Sequence, residues 1–463
     1  MQVLIWLTET RTGDLDELKQ KQRYQAYFDE ITHDGNLETT SLFWGWDFWQ
    51  RLNQQALSSR VLITNHAYFL SHLKDQDPLM DNRLVVIDEA QKFLLAAENL
   101  ATDSQDLTAS LQLLQSKKDK ADKVLDQRLY ESCQFELNHL LNRFRQYGQR
   151  EIAKEDLDQL KQNLAELQDI DLQDLDQLLD VYDHFWLEEK YLEDKRIAYL
   201  RGSKDSLLNV TNYLPDTKIF CISATLTISK KVSLADLLGF EQVTMDLLPT
   251  QAVTNQQLLF PTNLPDILSH SKEEHAAYLV HTLGKIAELG RPILVLFTSI
   301  SLLLQVSDIL EENDIPHLAQ HKHGQEMTLK RKFERGESQI LLGTGVFWEG
   351  VDFASQDQLI QVITRLPFDN PKDRFVQKIN HHLREQGKNP FYDYSLPMMM
   401  IKLKQAMGRT NRHDQQDSVV LVLDPRIHTK RYGQQILSFF EEVYTVLKPK
   451  EIEIQKTVEE FFE

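Results

Sequence analysis

The chain has 463 residues, 41% of them apolar and 26% charged, and a formal net charge of −19. That length supports two or three domains with substantial cores, and the acidic balance excludes a generally basic, histone-like binder while leaving room for a groove with a local basic lining. The two cysteines, Cys133 and Cys221, form no CxxC pair, which excludes a disulfide framework or a four-cysteine zinc site and suits a reducing cytosol.

In chain order, the apolar run Val3 to Leu7 is short and lacks a basic flank, so no signal peptide is expected. Residues 1–60 mix helical stretches with an aromatic cluster, Phe43-Trp44-Gly45-Trp46-Asp47-Phe48-Trp49. Packing in a core or domain seam is the favoured reading of that cluster, and stacking on single-stranded bases is the sharper alternative. Arg60-Val61-Leu62-Ile63-Thr64-Asn65-His66 and Leu84-Val85-Val86-Ile87-Asp88-Glu89 are short apolar runs that end in polar groups. Both predict buried strands of a parallel sheet, with functional residues at the C-terminal edge where such sheets bind ligands. From about 100 to 200 there is no proline and a single glycine, Gly148, and acidic side chains far outnumber basic ones over 151–194. This predicts a helical insertion with a solvated acidic face, open to a long antiparallel helix pair. Strand signals return at Lys218 to Ile222. A second α/β unit begins near 260, with strands at Pro292 to Phe297, Gln339 to Leu342, Leu359 to Ile363 and Val419 to Leu423 separated by helices. The last forty residues read as amphipathic helix. No run approaches the roughly eighteen apolar residues of a membrane span, so a cytoplasmic protein is expected.

Four strings carry chemistry: VVIDEAQ (Val85 to Gln91), ISATL (Ile222 to Leu226), GTGVFWEGVDF (Gly343 to Phe353) and QAMGRTNR (Gln405 to Arg412). Adjacent acids at a strand end suit ATP hydrolysis, with Asp88 for Mg²⁺ and Glu89 for the attacking water. Ser223 and Thr225 read either as a turn and helix cap or as a hydrogen-bonded link, with Gln91, from the hydrolysis site to a nucleic-acid track. Gly345 and Gly350 permit close backbone approach to phosphate or ribose, and Glu349 and Asp352 can order the loop or accept sugar hydroxyls. Arg409 and Arg412 share a face if their segment is helical, as does Gln405. Arginines so placed can stabilise a γ-phosphate, with Gly408 allowing close approach. No metal role is expected for His321-Lys322-His323 or His381-His382, which lack partners at ligand spacing. No G-x-x-x-x-G-K-[S/T] phosphate-binding loop occurs in the sequence.

Together these strings resemble the DinG-like branch of superfamily 2 DNA helicases, related to the XPD group. VIDEAQ is similar to the family's Walker B box, TNHAYFL to its TNH segment, and ITRLPFDNP (Ile363 to Pro371) to a further family phrase. ISATL, GTGVFWEGVDF and QAMGRTNR are similar to its third, fifth and sixth motifs. The resemblance implies an α/β fold of two RecA-like parallel-sheet P-loop NTPase lobes, the first incomplete, with a helical insertion. The boundaries are 1–99 for lobe 1 with the DEAQ box, 100–205 for an arch-like acidic insertion, 206–255 for the return to lobe 1, and 256–463 for lobe 2. It implies ATP and Mg²⁺ as cofactors, no iron–sulfur cluster and no zinc. It also implies single-stranded DNA or DNA junctions as partners, with Asn65, His66, Thr298 and Ser299 along the nucleic-acid track. WLTETRTGDLDEL near the N-terminus resembles an interior family segment, so an N-terminally truncated, cluster-free helicase of the Gram-positive type is expected. Two alternatives stand beside it: a catalytically silent DNA-binding remnant, and a split helicase whose P-loop sits on a separate polypeptide.

Overall fold

The computed structural model describes residues 2–11, 13–15, 44–74, 83–148, 151–192, 195–212, 214, 218–223, 226–247, 253–266, 271–353, 356–411 and 416–463. The chain divides into two compact units, Met1–Ala224 and Thr225–Glu463.

In the first unit, β1 (Val85–Ile87) pairs in parallel with a strand more than a hundred residues later, in register Val85 to Ile219 and Ile87 to Cys221. The insertion between them is more than helical. It contains β2 (Asp103–Asp106), β3 (Glu151–Ile152), β4 (His184–Leu192) and β5 (Lys195–Ser203), ordered β2-β5-β4-β3 in an antiparallel sheet. Helices Leu107–Lys120, Val124–Tyr147, Asp158–Leu167 and Gln173–Val181 share one apolar core with this sheet, through Leu114, Leu137, Leu160, Leu175, Phe185 and Leu200. The long helix stops where Gly148 takes a left-handed conformation (φ 65°), the usual glycine terminator. β6 (Ile219–Cys221) then completes the pair with β1.

Two expectations for this unit need correction. Residues 60–65 carry no strand; Val61 is 75% and Ile63 91% exposed. Among the described residues nothing lies alongside to take a ladder of backbone hydrogen bonds, so apolar sequence alone does not make a strand there. The aromatic cluster is not buried as a packed seam either. Asp47 caps the helix Phe48–Ser58 by accepting the Gln50 amide (2.7 Å), that helix buries no residue, and Trp46 on the turn before it is 79% exposed. Phe43 lies outside the described residues.

The second unit is a seven-stranded, all-parallel sheet. Its strands are β7 (Val253–Leu259), β8 (Ile293–Leu296), β9 (His317–Ala319), β10 (Ile340–Gly343), β11 (Gln358–Ile363), β12 (Asp417–Val422) and β13 (Tyr444–Leu447), in the order β13-β7-β12-β11-β8-β10-β9. β8, β10 and most of β11 and β12 are buried on both sides, as a parallel sheet covered on two faces requires. One face packs against helices Glu326–Glu334, Leu396–Met407 and Gly433–Glu441 through Leu329, Phe333, Met399, Leu403 and Phe440. The other packs against Lys272–Ala287, Ile300–Glu312 and Ile454–Phe462 through Leu279, Leu283, Val306, Leu310 and Val458. The C-terminal forty residues, expected as helix, are interrupted by β13, whose Tyr-Thr-Val-Leu suits a half-buried pleated edge.

Candidate active site

In the first unit the site is built where β1 and β6 end side by side. Asp88 is exposed and Glu89 half-buried, and one Asp88 carboxylate oxygen accepts the Glu89 amide at 2.9 Å. Glu89 sits in the left-handed region (φ 48°, ψ 49°). For a residue with a Cβ this costs about 1–3 kcal/mol and persists only where neighbours enforce it. The neighbours are identifiable. The Ala90 amide donates to the Ile222 carbonyl at 3.1 Å, and His66 Nε2 donates to the Asp88 carbonyl at 2.9 Å with its ring edge-on to Phe93. Gln91 then joins the two strands: its amide nitrogen donates to the Glu89 carboxylate, and its amide oxygen accepts the Ser223 hydroxyl at 2.5 Å. Glu89, Gln91 and Ser223 thus form one hydrogen-bonded chain, brought together by the β1–β6 register across 132 positions of sequence. Thr225 lies outside the described residues.

Asn65 and His66, expected along a nucleic-acid track, also make hydrogen bonds within the unit. The Asn65 side chain accepts the Tyr68 amide at 2.7 Å at the start of the helix His66–Lys74, and His66 holds the carboxylate loop.

In the second unit, β10 runs into Gly343-Thr344-Gly345. Gly345 has φ 53°, and a Cβ on Gly343 would stand 2.6 Å from the Phe347 ring, so the loop uses glycine once for conformation and once for space. Gln320 accepts the Thr344 amide at 2.7 Å, and the buried Trp348 donates its indole N–H to the Phe297 carbonyl at 2.8 Å. Glu349 is half-buried in the short helix Val346–Glu349, followed by Gly350. Asp352 then pairs with Arg409, its carboxylate accepting Nη1 at 2.9 Å, and the Phe353 amide donates to the Arg409 carbonyl at 3.3 Å.

The two arginines were expected on a helical face. The helix Leu396–Met407, with Gln405 half-buried in its last turn, stops before Arg409, and Gly408-Arg409 form a turn; Arg412 lies outside the described residues. The stop has a cause that sequence reading missed. Two glutamines in the middle of the sheet, both essentially unexposed, take the helix's last carbonyls: Gln361 of β11 donates to Ala406 at 3.0 Å and Gln256 of β7 to Met407 at 3.1 Å. The Thr410 hydroxyl donates to Gln361 Oε1 at 3.2 Å, and Gln256 also reaches the Ser418 hydroxyl at 2.9 Å. Carbonyls at a helix end need such partners, and capping from the sheet fixes where Arg409 leaves the fold. Ser299 caps the helix Ile300–Glu312, accepting the Leu302 amide at 3.4 Å and lying 3.0 Å from the Ser301 hydroxyl, while Thr298 is exposed.

Space supplies histidine partners that spacing did not show: Glu311, His317 and His323 bring ligand-type atoms within 4.8 Å of one another. His323 Nδ1 accepts the Ala319 amide at 3.0 Å, so Nε2 carries the proton and donates to Glu311 at 3.1 Å. Lys322 also pairs with Glu311 at 2.9 Å. Lys322 and His323 hold the Glu311 carboxyl below its usual range, which describes an ion-pair network with its positive charge already in place.

The helicase C-terminal domain family matches residues 283–443. A protein named 3'-5' exonuclease DinG from Bacillus subtilis is 25% identical over 94% of this chain and 57% of its own length. The proteins of that name from Staphylococcus epidermidis and Staphylococcus haemolyticus are each 23% identical, over 96% and 98% of this chain and 56% and 58% of theirs. The chain therefore spans little more than half of these relatives. Among solved structures, S. tokodaii Xpd4 superposes with a TM-score of 0.54 at 16% identity, covering 82% of this chain and 81% of that one. A structure titled XPD helicase gives 0.52 at 15%, covering 87% and 75%.

Proposed function

We propose that this chain, similar to DinG-named proteins in sequence and to XPD structures in fold, carries the hydrolysis and coupling parts of an ATP-dependent DNA motor that translocates on and unwinds DNA. The observation that supports this most directly is the chain from the Glu89 carboxylate through Gln91 to the Ser223 hydroxyl. Two carboxylates at a strand end, one of them joined to a neighbouring strand's hydroxyl, are what a hydrolysis site needs if its chemical state is to be felt elsewhere. Asp88, exposed at the end of β1, suits the Mg²⁺ that accompanies ATP, and that ion would neutralise developing phosphate charge. Glu89 is the acceptor for the attacking water's proton, and its left-handed backbone fixes where that acceptor points. Arg409, paired with Asp352, is assigned to the nucleotide's γ-phosphate, and Gly345, Glu349, Gly350 and Gly408 to nucleotide binding. Single-stranded DNA or a DNA junction is the assigned track, and the cytoplasm the assigned compartment.

These 463 residues contain no Walker A string, so phosphate binding for turnover is assigned to a segment outside them, with a separate polypeptide as one candidate source. The test is DNA-stimulated ATP hydrolysis by the purified chain, with Glu89→Gln as control. The expected result is little turnover by the chain alone. Robust turnover abolished by Glu89→Gln would refute the deficiency and leave the motor assignment standing. The same missing string favours a second reading, a catalytically silent DNA-binding remnant. Salt-sensitive single-strand binding that ignores ATP would select it, and absence of binding at low salt would remove it.

A further inference from the structure

The C-terminal edge of β11 carries a cation with too few acceptors. The Thr364 amide donates to the Leu296 carbonyl of β8 at 3.1 Å and its hydroxyl to the same carbonyl at 3.0 Å. Arg365 therefore leaves the sheet beside Phe297-Thr298-Ser299, where the helix Ile300–Glu312 begins. Among the described residues its guanidinium makes one hydrogen bond, from Nη2 to His275 Nδ1 at 3.2 Å, and its buried Nε has no acceptor.

The carboxylate that acts on Arg365 is already committed. Asp424, buried at the end of β12, accepts the Arg426 side chain at 2.6 to 3.1 Å through both oxygens. Its oxygens also accept the Leu366 amide at 2.8 Å and the Arg426 amide at 3.0 Å. Two guanidiniums thus share one carboxylate, and Arg426 takes it. Burial and the like charge of Arg426 both push the Arg365 pKa down, against the pull of Asp424. Arginine has five donors and does not shed its proton in a protein, so an unmatched, half-buried guanidinium is costly unless an anion arrives. A purely structural arginine would have closed this account with carbonyls or a second carboxylate.

We propose that Arg365 anchors an anion subsite at the C-terminal edge of the second unit's sheet, taking a phosphodiester oxygen of single-stranded nucleic acid. The proposal rests on the nucleic-acid-motor reading above and names a contact on its track. The local charge selects the ligand. With Arg426 neutralised by Asp424, about one positive charge is left over, which matches the single charge of a phosphodiester and not the several charges of a nucleoside triphosphate. Thr298 and Ser299, which follow β8 as Arg365 follows β11 in the parallel register, carry hydroxyls of the kind that commonly share phosphate oxygens with arginine.

The test is binding of a labelled oligothymidylate, without ATP, across a salt series, for the full chain and for Arg365→Gln and Arg365→Lys. One single-strand phosphate contact contributes about 0.7 to the slope of log K against log salt. Arg365→Gln is expected to weaken binding at low salt and to reduce the slope by about that amount, while Arg365→Lys keeps the wild-type slope. Thermal melting without DNA is the second readout. Removing an unmatched charge leaves the midpoint of Arg365→Gln unchanged or raises it, whereas removing a structural arginine lowers it. A wild-type slope in Arg365→Gln overturns the subsite while leaving the motor reading intact. A wild-type chain that binds no oligonucleotide at low salt overturns both.

Discussion

His317 uses both ring nitrogens on neutral partners, lying 2.7 Å from the Ser307 hydroxyl and 2.9 Å from the Ile315 carbonyl. Burial pushes its pKa below the usual 6.5, against the pull of its hydrogen bond to the Ile315 carbonyl and of the Glu311 charge. The unfolded chain therefore takes up a proton near 6.5 while the folded chain waits for lower pH. The stability tied to a neutral His317 is full above that value and is lost as pH falls below it. Calorimetry of the wild type is expected to show this acid-side loss, and His317→Asn to flatten it. In the middle of the sheet, Gln361→Leu would remove one partner each from the Ala406 carbonyl, which keeps the Arg409 amide at 3.1 Å, and the Thr410 hydroxyl, which keeps the Met407 carbonyl at 3.0 Å. The expected cost is about 0.5–1.5 kcal/mol, read from urea unfolding, with faster amide exchange at Gly408 to Asn411. No sequence pattern announces Gln361 as a helix cap. It stands in an apolar strand, and its partner Ala406 is 45 positions away. Asp88, Glu89, Gln91 and Ser223 were legible because their types and their places after apolar strands both point to one chemistry. His66 was legible as a residue of interest but not as the group that holds Asp88, since the contact depends on where a helix start meets a loop.

Elements were readable where apolar runs are continuous, as in β8, β10, β11 and β12, because burial on both faces leaves no alternative pattern. β4 was hidden for the opposite reason. Its Phe185 and Leu187 point inward while Glu188 pairs with Arg201 of β5 and Glu189 with Arg145 and Arg196, so the strand's charges blend into a generally acidic stretch. The insertion's core gives a direct test of its independence. Leu137, fully buried on the long helix, is expected to cost about 2–5 kcal/mol on replacement by alanine. The loss should appear in a transition assigned to the insertion, with the second unit's transition unmoved. On the helix Lys272–Ala287, Ser271 and Glu274 form a reciprocal capping box, and Ser271→Ala should cost about 1 kcal/mol, seen in the second unit alone.

The two units differ in how completely they cover their apolar surface. The second buries side chains on both faces of its sheet. The first leaves Leu84, Val86, Phe220 and Ile222 exposed on or beside its two-stranded pair, and Val61 and Ile63 exposed as well. A patch of this kind binds hydrophobic dyes and promotes association. The double change Val86→Thr and Phe220→Thr, which keeps strand-favouring residues, is expected to reduce dye fluorescence and light scattering without lowering the second unit's melting point. Unchanged scattering would place the sticky surface elsewhere. The strand order of the second unit also sets a schedule for its synthesis. β7 lies between β12 and β13, so the first strand of that sheet to leave the ribosome is paired only by the last two. Translation from Leu259 to Leu447 takes roughly 10–40 s at bacterial speeds of about 5–20 residues per second. For that interval at least one edge of β7 is unpaired. A ribosome stalled just short of Tyr444 is therefore expected to present a nascent chain that chaperones still hold and proteases still cut.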